Sequence, residues 1–366
     1  MPDRQPSPWI IAAAALAGLL ALGTSRHSQL VPAPRRRHER PHHTPRMQQE
    51  QIPQDDAGRN VAQPHRFPGR GWWMILKRTF AQANEDRLLS EAAGVTFYAL
   101  LATFPAIAAL ISLYGLVADP ATVGQQIDTL AGVIPGGGMQ LIEEQVRRLT
   151  EKPQTTLGLS AIIGLALSLW SANQATKAMF DALNVVYEEK EKRSFIRLTL
   201  VSLTFTLSGL LFAIVAMGAV IVLPVIFNVI GLGTQTEWLL RIARWPLLLL
   251  IVGAILAALY RFGPSREKAR WRWVTWGSAL ASVVWFLGSL GFSWYVENFG
   301  SYNETYGSLG AVIGFMTWIW ISSAVVLLGG ELNAEMEHQT ARDTTTGPER
   351  PIGTRGARMA DTVAHR

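Results

Sequence analysis

Cysteine is absent from all 366 residues, which excludes disulfides, thiol catalysis and Cys-ligated zinc or iron–sulfur centres. Histidine is absent from residues 66–337; the seven are His27, His38, His42, His43, His65, His338 and His365. Any metal or acid–base chemistry in that stretch would have to proceed without imidazole. Charge is also scarce, at 16% Asp, Glu, Lys and Arg, where soluble domains carry about 25%. These few charges lie mainly between long uncharged apolar runs, which excludes a large water-soluble core.

Six runs in the middle of the chain are long enough to cross a hydrocarbon layer of about 30 Å at 1.5 Å per residue. They cover Ala92–Ala118, Leu157–Thr176, Leu198–Ile230, Trp238–Phe262, Val274–Val296 and Leu309–Gly330. The fold class this predicts is all-α: a polytopic membrane helical bundle of six core transmembrane helices with amphipathic interfacial helices. The third run is over-long and contains Pro224, so its last turns are expected to tilt, break or lie at the interface. Counting Lys and Arg in alternate flanks of 66–366 gives twenty on one side and five on the other. By the positive-inside rule the start of the core and the C-terminus are cytoplasmic. Trp72, Trp73, Trp238, Trp245, Trp271, Trp273 and Trp276 open spans at interfacial positions, whereas Trp285 and Trp318 read as lipid-facing bulk.

Three regions follow. Residues 1–65 form an N-terminal extension with a short apolar run, Trp9–Leu22, ahead of a Pro/Arg/His-rich linker that is too polar to order itself. The run fits a seventh span, a signal segment, a mis-called start or a peripheral helix. Residues 66–338 form the membrane domain, and residues 339–366 are expected to be a disordered cytoplasmic tail. Within the domain, Trp73, Leu76 and Phe80 recur at helical spacing beside Lys77 and Arg78, the pattern of a basic helix lying on an anionic leaflet. Two further stripes, Val123/Ile127/Leu130/Ile134 and Met139/Ile142/Val146/Leu149, predict short amphipathic helices on the outer side, separated by Pro135-Gly136-Gly137-Gly138.

Polar groups near the cytoplasmic ends of spans are the candidate site: Glu91, Asn173, Lys177, Arg261, Glu331 and Asn333. Ionisable groups at such depths are costly unless paired or hydrated. Arg261 is expected to pair with Glu91 or Glu331, with Asn173 hydrogen-bonded in the same cluster. The cluster reads either as a vestibule for an anionic head group, anchored by Arg261, or as an ion pair that locks the bundle. An outer loop carries Tyr302, Asn303, Glu304 and Tyr306, a polar set that reads as an exit mouth or an ordinary loop. Gly310 and Gly314 give the last span a small-residue face for helix packing, inside the bundle or between protomers of a homo-oligomer. No internal repeat relates the two halves, which weakens a standard secondary-transporter assignment.

Several segments resemble the YihY/BrkB family of bacterial inner-membrane proteins. They are Ala92-Ala93-Gly94-Val95-Thr96-Phe97-Tyr98-Ala99-Leu100-Leu101 with Phe104-Pro105, Leu169-Trp170-Ser171-Ala172-Asn173, and Ala182-Leu183-Asn184-Val185-Val186-Tyr187. Leu259-Tyr260-Arg261-Phe262-Gly263-Pro264, Tyr306-Gly307-Ser308-Leu309-Gly310-Ala311-Val312-Ile313 and Leu328-Gly329-Gly330-Glu331-Leu332-Asn333-Ala334-Glu335 continue the match. The resemblance spans about 70–338 and implies a six-span protein of the cytoplasmic membrane. Family members have carried ribonuclease BN and virulence labels, and some are linked to movement of lipid or lipopolysaccharide precursors. The resemblance therefore implies a transporter or flippase of a lipid or other anionic envelope precursor, with a membrane scaffold as the alternative. Membrane lipids are the partners expected, and neither nucleic acid nor a cofactor or metal. The ribonuclease label fits poorly: the core lacks His, and Asp181, Glu188, Glu189 and Glu191 sit in a Lys-rich loop that reads as a solvated face.

Overall fold

The computed structural model describes residues 57–117, 154–230, 234–299 and 308–364, all within one compact unit of the chain. The apolar run at 9–22, most of its linker, both outer amphipathic stripes and the loop with Tyr302, Asn303, Glu304 and Tyr306 lie outside the described residues.

Six long helices coincide with the six apolar runs. An amphipathic helix, α1 (Gly69–Glu85), leads into α2 (Leu88–Val117) and α3 (Gln154–Val186). These are followed by α4 (Phe195–Ile230), α5 (Thr234–Phe262), α6 (Trp271–Phe299) and α7 (Ser308–Gln339). One short turn of helix, α8 (Arg358–Asp361), closes the chain. Among the described residues there is no strand, only an isolated bridge between Ala269 and Thr345. Stretches of α4, α5, α6 and α7 are long and apolar enough to cross a membrane, and α2 carries a shorter one, Leu88–Thr103. Of the three outcomes expected near Pro224, a break is not seen: α4 is helical through to Ile230. Proline is tolerated in apolar helices where neighbouring groups take up the freed carbonyl.

α7 is the hub, packing against α6, α3, α2, α1 and α8. It can do so because its crossing with α6 is built from small residues. A Cβ on Gly329 would lie 2.7 Å from the Gly277 carbonyl oxygen and 2.7 Å from the Ala281 Cβ. A Cβ on Gly277 would collide with the Gly329 carbonyl and the Asn333 amide. The two backbones therefore approach at a distance only glycine allows. Leu183, Val186, Leu256, Tyr260, Ala281 and Leu327 fill the core around this crossing. Away from it the helices turn leucines outward, among them Leu200, Leu211, Leu250 and Leu287. Such apolar surface suits a hydrocarbon solvent and would be a liability in water.

Several tryptophans depart from the sequence expectation. Trp273 is fully buried with Ile75, Leu332 and Met336, its ring edge-on to Phe67. Trp285 and Trp318 link α6 to α7 reciprocally: the Trp285 indole N–H donates to Ser322 Oγ at 3.0 Å, and that of Trp318 to Ser289 Oγ at 3.2 Å. An indole N–H in an apolar layer needs an acceptor, and the facing serines supply one.

The segment beyond Gln339, expected to be disordered, is packed. Arg355 is buried and donates to the backbone carbonyls of Ala341, Arg342, Arg350 and Ala360. Asp343 accepts from the Thr345 and Arg350 amides, and Asp361 from those of Gly353, Arg355 and Gly356. The segment organises itself largely through side-chain-to-backbone hydrogen bonds, with Met359 joining the core, so composition alone reads it as unstructured. The ordered region also begins before residue 66. The Gln339 side chain donates to Ala57 O, and Ala341 N to Arg59 O.

Candidate functional site

The last turns of α7 carry polar residues on two faces at the helical i, i+4 spacing. One face presents Glu331, Glu335 and Gln339. The other presents Asn333 and Glu337. All five are buried, so each needs a partner from a neighbouring element or stands at a cost.

On the first face, Arg78 of α1 donates through Nε to Glu335 Oε2 at 2.5 Å and through Nη2 to Gln339 Oε1 at 2.7 Å. On the second, Arg266 in the α5–α6 loop forks onto Glu337 with hydrogen bonds of 2.9 and 2.7 Å, and both side chains have 0% exposure. Thr344 adds a hydroxyl to Glu337 Oε2 at 2.7 Å, and the guanidinium lies 4.0 Å from the centroid of the Tyr187 ring. The coulombic and hydrogen-bonding hold of Glu337 overcomes burial and raises the affinity of Arg266 for its proton. Asn333 inserts its amide into the start of α6, accepting from Gly277 N at 2.8 Å and donating to Val274 O at 3.3 Å.

The α3–α4 loop joins the same end. Arg193 forks onto Glu191 and donates to the carbonyls of Phe262 and Gly263, while Asn184 bridges Ser265 N and Glu191. Burial alone would raise the Glu191 pKa, but the Arg193 and Asn184 hydrogen bonds outweigh it and bring it down to about 2. Asp86, in the α1–α2 turn, goes the other way. Burial and the neighbouring acids Glu188, Glu85 and Glu335 outweigh its bond from Gln82 and push it up to about 6.

The six candidate residues fall into different settings. Asn333 and Glu331 sit at the α7 hub, whereas Asn173 is buried in α3 with its Oδ1 unpartnered. Lys177 donates to Thr199 Oγ1 at 3.0 Å and lies over the Phe195 ring, 5.0 Å from its centroid. Glu91 is half-buried in the first turn of α2. Arg261 pairs with neither Glu91 nor Glu331. It stands over Trp271, 4.5 Å from the ring centroid, and beside Phe262. The reason is local: Arg266, five residues further on, is the arginine that turns inward to an acid of α7, and Arg261 is left facing the aromatic pair. Gly310 is buried, while a Cβ on Gly314 would meet nothing within 4 Å among the described residues.

Sequence reasoning missed Arg266, Glu337, Arg78, Glu335, Tyr187 and the Gly277–Gly329 contact. The available signal was the Gly329-Gly330 pair followed by acids at 331, 335 and 337, which marks a closely packed helix end needing cations from elsewhere. Among the described residues, no three of His, Cys, Asp and Glu gather as a metal-binding group.

An all-helical bundle with outward-facing leucines and a polar lattice at one end is a multi-pass membrane protein. The chain belongs to the family described as virulence factor BrkB, whose profile matches residues 79–353 and so takes in part of the packed C-terminal segment. It is 32% identical over 271 residues to YfkH of Bacillus subtilis (strain 168), which carries a ribonuclease-like name; the match covers 71% of this chain and 94% of YfkH. It is 25% identical over 270 residues to the UPF0761 membrane protein VP0125 of Vibrio parahaemolyticus, covering 72% of this chain and 82% of that protein. A UPF0761 membrane protein of Glaesserella parasuis is 30% identical over 181 residues, covering 48% of this chain and 60% of the relative. No solved structure matches the chain.

Proposed function

We propose that this is a protein of the bacterial inner membrane that moves a lipid or other anionic envelope precursor, with the polar end of its bundle in the cytoplasm. The orientation rests on the twenty-to-five division of basic residues. The observation that carries the transport reading is Arg261. Its guanidinium stands at the end of an apolar helix, partly exposed with its Nε buried and laid on Trp271, with no carboxylate partner among the described residues. A cation on an aromatic platform at that depth suits a phosphate or carboxylate head group, which would supply the missing counter-charge. Lys268, 5.1 Å from the centroid of the neighbouring Phe262 ring, adds a second positive charge nearby.

The enzymatic reading has less support. The carboxylates of the α3–α4 loop are engaged: Glu188 with Arg358, Glu189 with Lys192, Glu191 with Arg193. A group with a pKa of about 2, like Glu191, is a poor general acid or base near neutral pH. A scaffold role draws its support from Gly314, whose face is open among the described residues and leaves room for a second protomer.

The test is reconstitution into liposomes containing a head-group-labelled anionic lipid, with an impermeant quencher outside. Transport predicts loss of label beyond the outer-leaflet fraction in proteoliposomes and not in protein-free vesicles. Identical quenching in the two would remove the transport reading in favour of a scaffold.

A further inference from the structure

Three acids project from the last turns of α7, and one is treated differently from the others. Glu335 holds Arg78 and Glu337 holds Arg266. Glu331 has 0% exposure, and neither of its carboxylate oxygens has a hydrogen-bond partner.

Among the described residues its surroundings offer no substitute cation. The groups acting on it are Asp86 from the α1–α2 turn, Glu335 one turn along its own helix, and Glu188 after α3, all of them acids. Tyr187, just after α3, is a further titratable neighbour, fully buried with its hydroxyl beside the Asn333 side chain. Tyr260 of α5, next to Tyr187, has committed its hydroxyl to Val326 O at 2.7 Å. Both guanidiniums bound to α7 are already spent on other acids, and Arg261 faces Trp271. The adjoining turn is tightly closed: a Cβ on Gly330 would stand 3.0 Å from Leu183 and 3.5 Å from Tyr260 and Val186. A carboxylate removed from water without donors or a counter-ion, among other acids, is the most costly state this site could hold. The same group as a neutral acid sheds the ionic part of that cost and keeps the smaller penalty of a buried, unbonded hydroxyl and carbonyl.

We propose that Glu331 is a proton-binding site, resting as a carboxylic acid buried in the last turns of α7 and releasing its proton to water when that end opens. The proton leaves the carboxyl oxygen to water, and the carboxylate that remains requires hydration, so ionisation and opening are one event. The site goes beyond the transport reading and stands apart from it, because its chemistry is the same in a transporter and in a scaffold.

The full-length protein in nanodiscs tests this by infrared pH-difference spectroscopy and amide hydrogen exchange, with Glu331→Gln beside Glu335→Gln. Slightly above neutral pH the native protein is expected to show the carbonyl band of a protonated carboxyl group, lost in Glu331→Gln and kept in Glu335→Gln. Raising the pH should bleach that band and, once the base-catalysed rise in exchange common to every amide is divided out, speed opening across residues 331–339 at least several-fold in the native protein, with no such acceleration in Glu331→Gln. Absence of the band from the native protein, or its persistence in Glu331→Gln, would overturn the proposal. So would equal pH-dependent opening in both proteins. A Glu331→Gln chain that fails to fold where Glu335→Gln folds would also contradict it, since a neutral side chain of that size is what the site is inferred to hold.

Discussion

The end of α5 and the loop that follows it carry arginines five residues apart in opposite settings. Arg266 is sealed at 0% exposure with a bidentate carboxylate, a threonine bond shared through Glu337 and a tyrosine face beneath it. Arg261 has an aromatic platform and, among the described residues, no acid. The contrast extends to the regions around them. Around Arg266, α1, α3, α7, the α5–α6 loop and residues 340–364 are tied by side chains that each reach across the chain. Around Arg261 the bundle faces outward and offers charge without an internal use for it. A buried cation locked to a carboxylate belongs to the architecture, whereas one at the membrane boundary that faces only aromatic rings has charge left over.

The largest expected effect comes from breaking the architectural side. Arg266→Ala leaves Glu337 buried and uncompensated and should cost about 3–5 kcal/mol, read as a fall in unfolding midpoint in nanodiscs. Replacing both partners with apolar residues, Arg266→Met with Glu337→Leu, should recover most of that loss. Next, Gly329→Ala forces a methyl against the Gly277 carbonyl and the Tyr260 hydroxyl and should cost about 1–3 kcal/mol.

A smaller effect sharpens the electrostatic side. Asp86 has its pKa raised from 3.8 to about 6, so the unfolded chain ionises first as pH rises. Its contribution therefore falls between pH 3.8 and about 6 and stays unfavourable above that. Asp86→Asn should raise the unfolding midpoint at pH 7–8 and leave it unchanged near pH 3; no gain at neutral pH would contradict the assignment. The smallest effect is expected at Gly314→Ala, where the methyl enters open space: within about 0.5 kcal/mol for an isolated protomer. A loss well beyond that would point to a second protomer on this face.

How much of this the sequence could carry depends on the range of the interaction. Apolar runs are local, so the six long helices were legible from Ala92 to Gly330, as was the amphipathic α1. Which arginine turns inward depends on helix rotation and on the loop that Asn184 fixes through Ser265, and periodicity records neither. Glu331 and Asn333 were legible as candidates, but Glu337 and Arg266 were not, because they lie past the apolar runs and read as solvated ends. The C-terminal segment misled for a related reason. Its order comes from one arginine satisfying four backbone carbonyls, an arrangement invisible to composition.

The central claim is that Arg261 serves a ligand and Arg266 serves the fold. It is tested most directly by measuring head-group transfer per folded molecule and unfolding midpoint for Arg261→Ala in the same liposome preparation as the native protein. The account predicts a midpoint close to the native one, with transfer reduced by about tenfold or more, the loss of one charge-assisted contact of about 1.5–3 kcal/mol. A collapsed midpoint with transfer per folded molecule unchanged would contradict it and return Arg261 to the architecture.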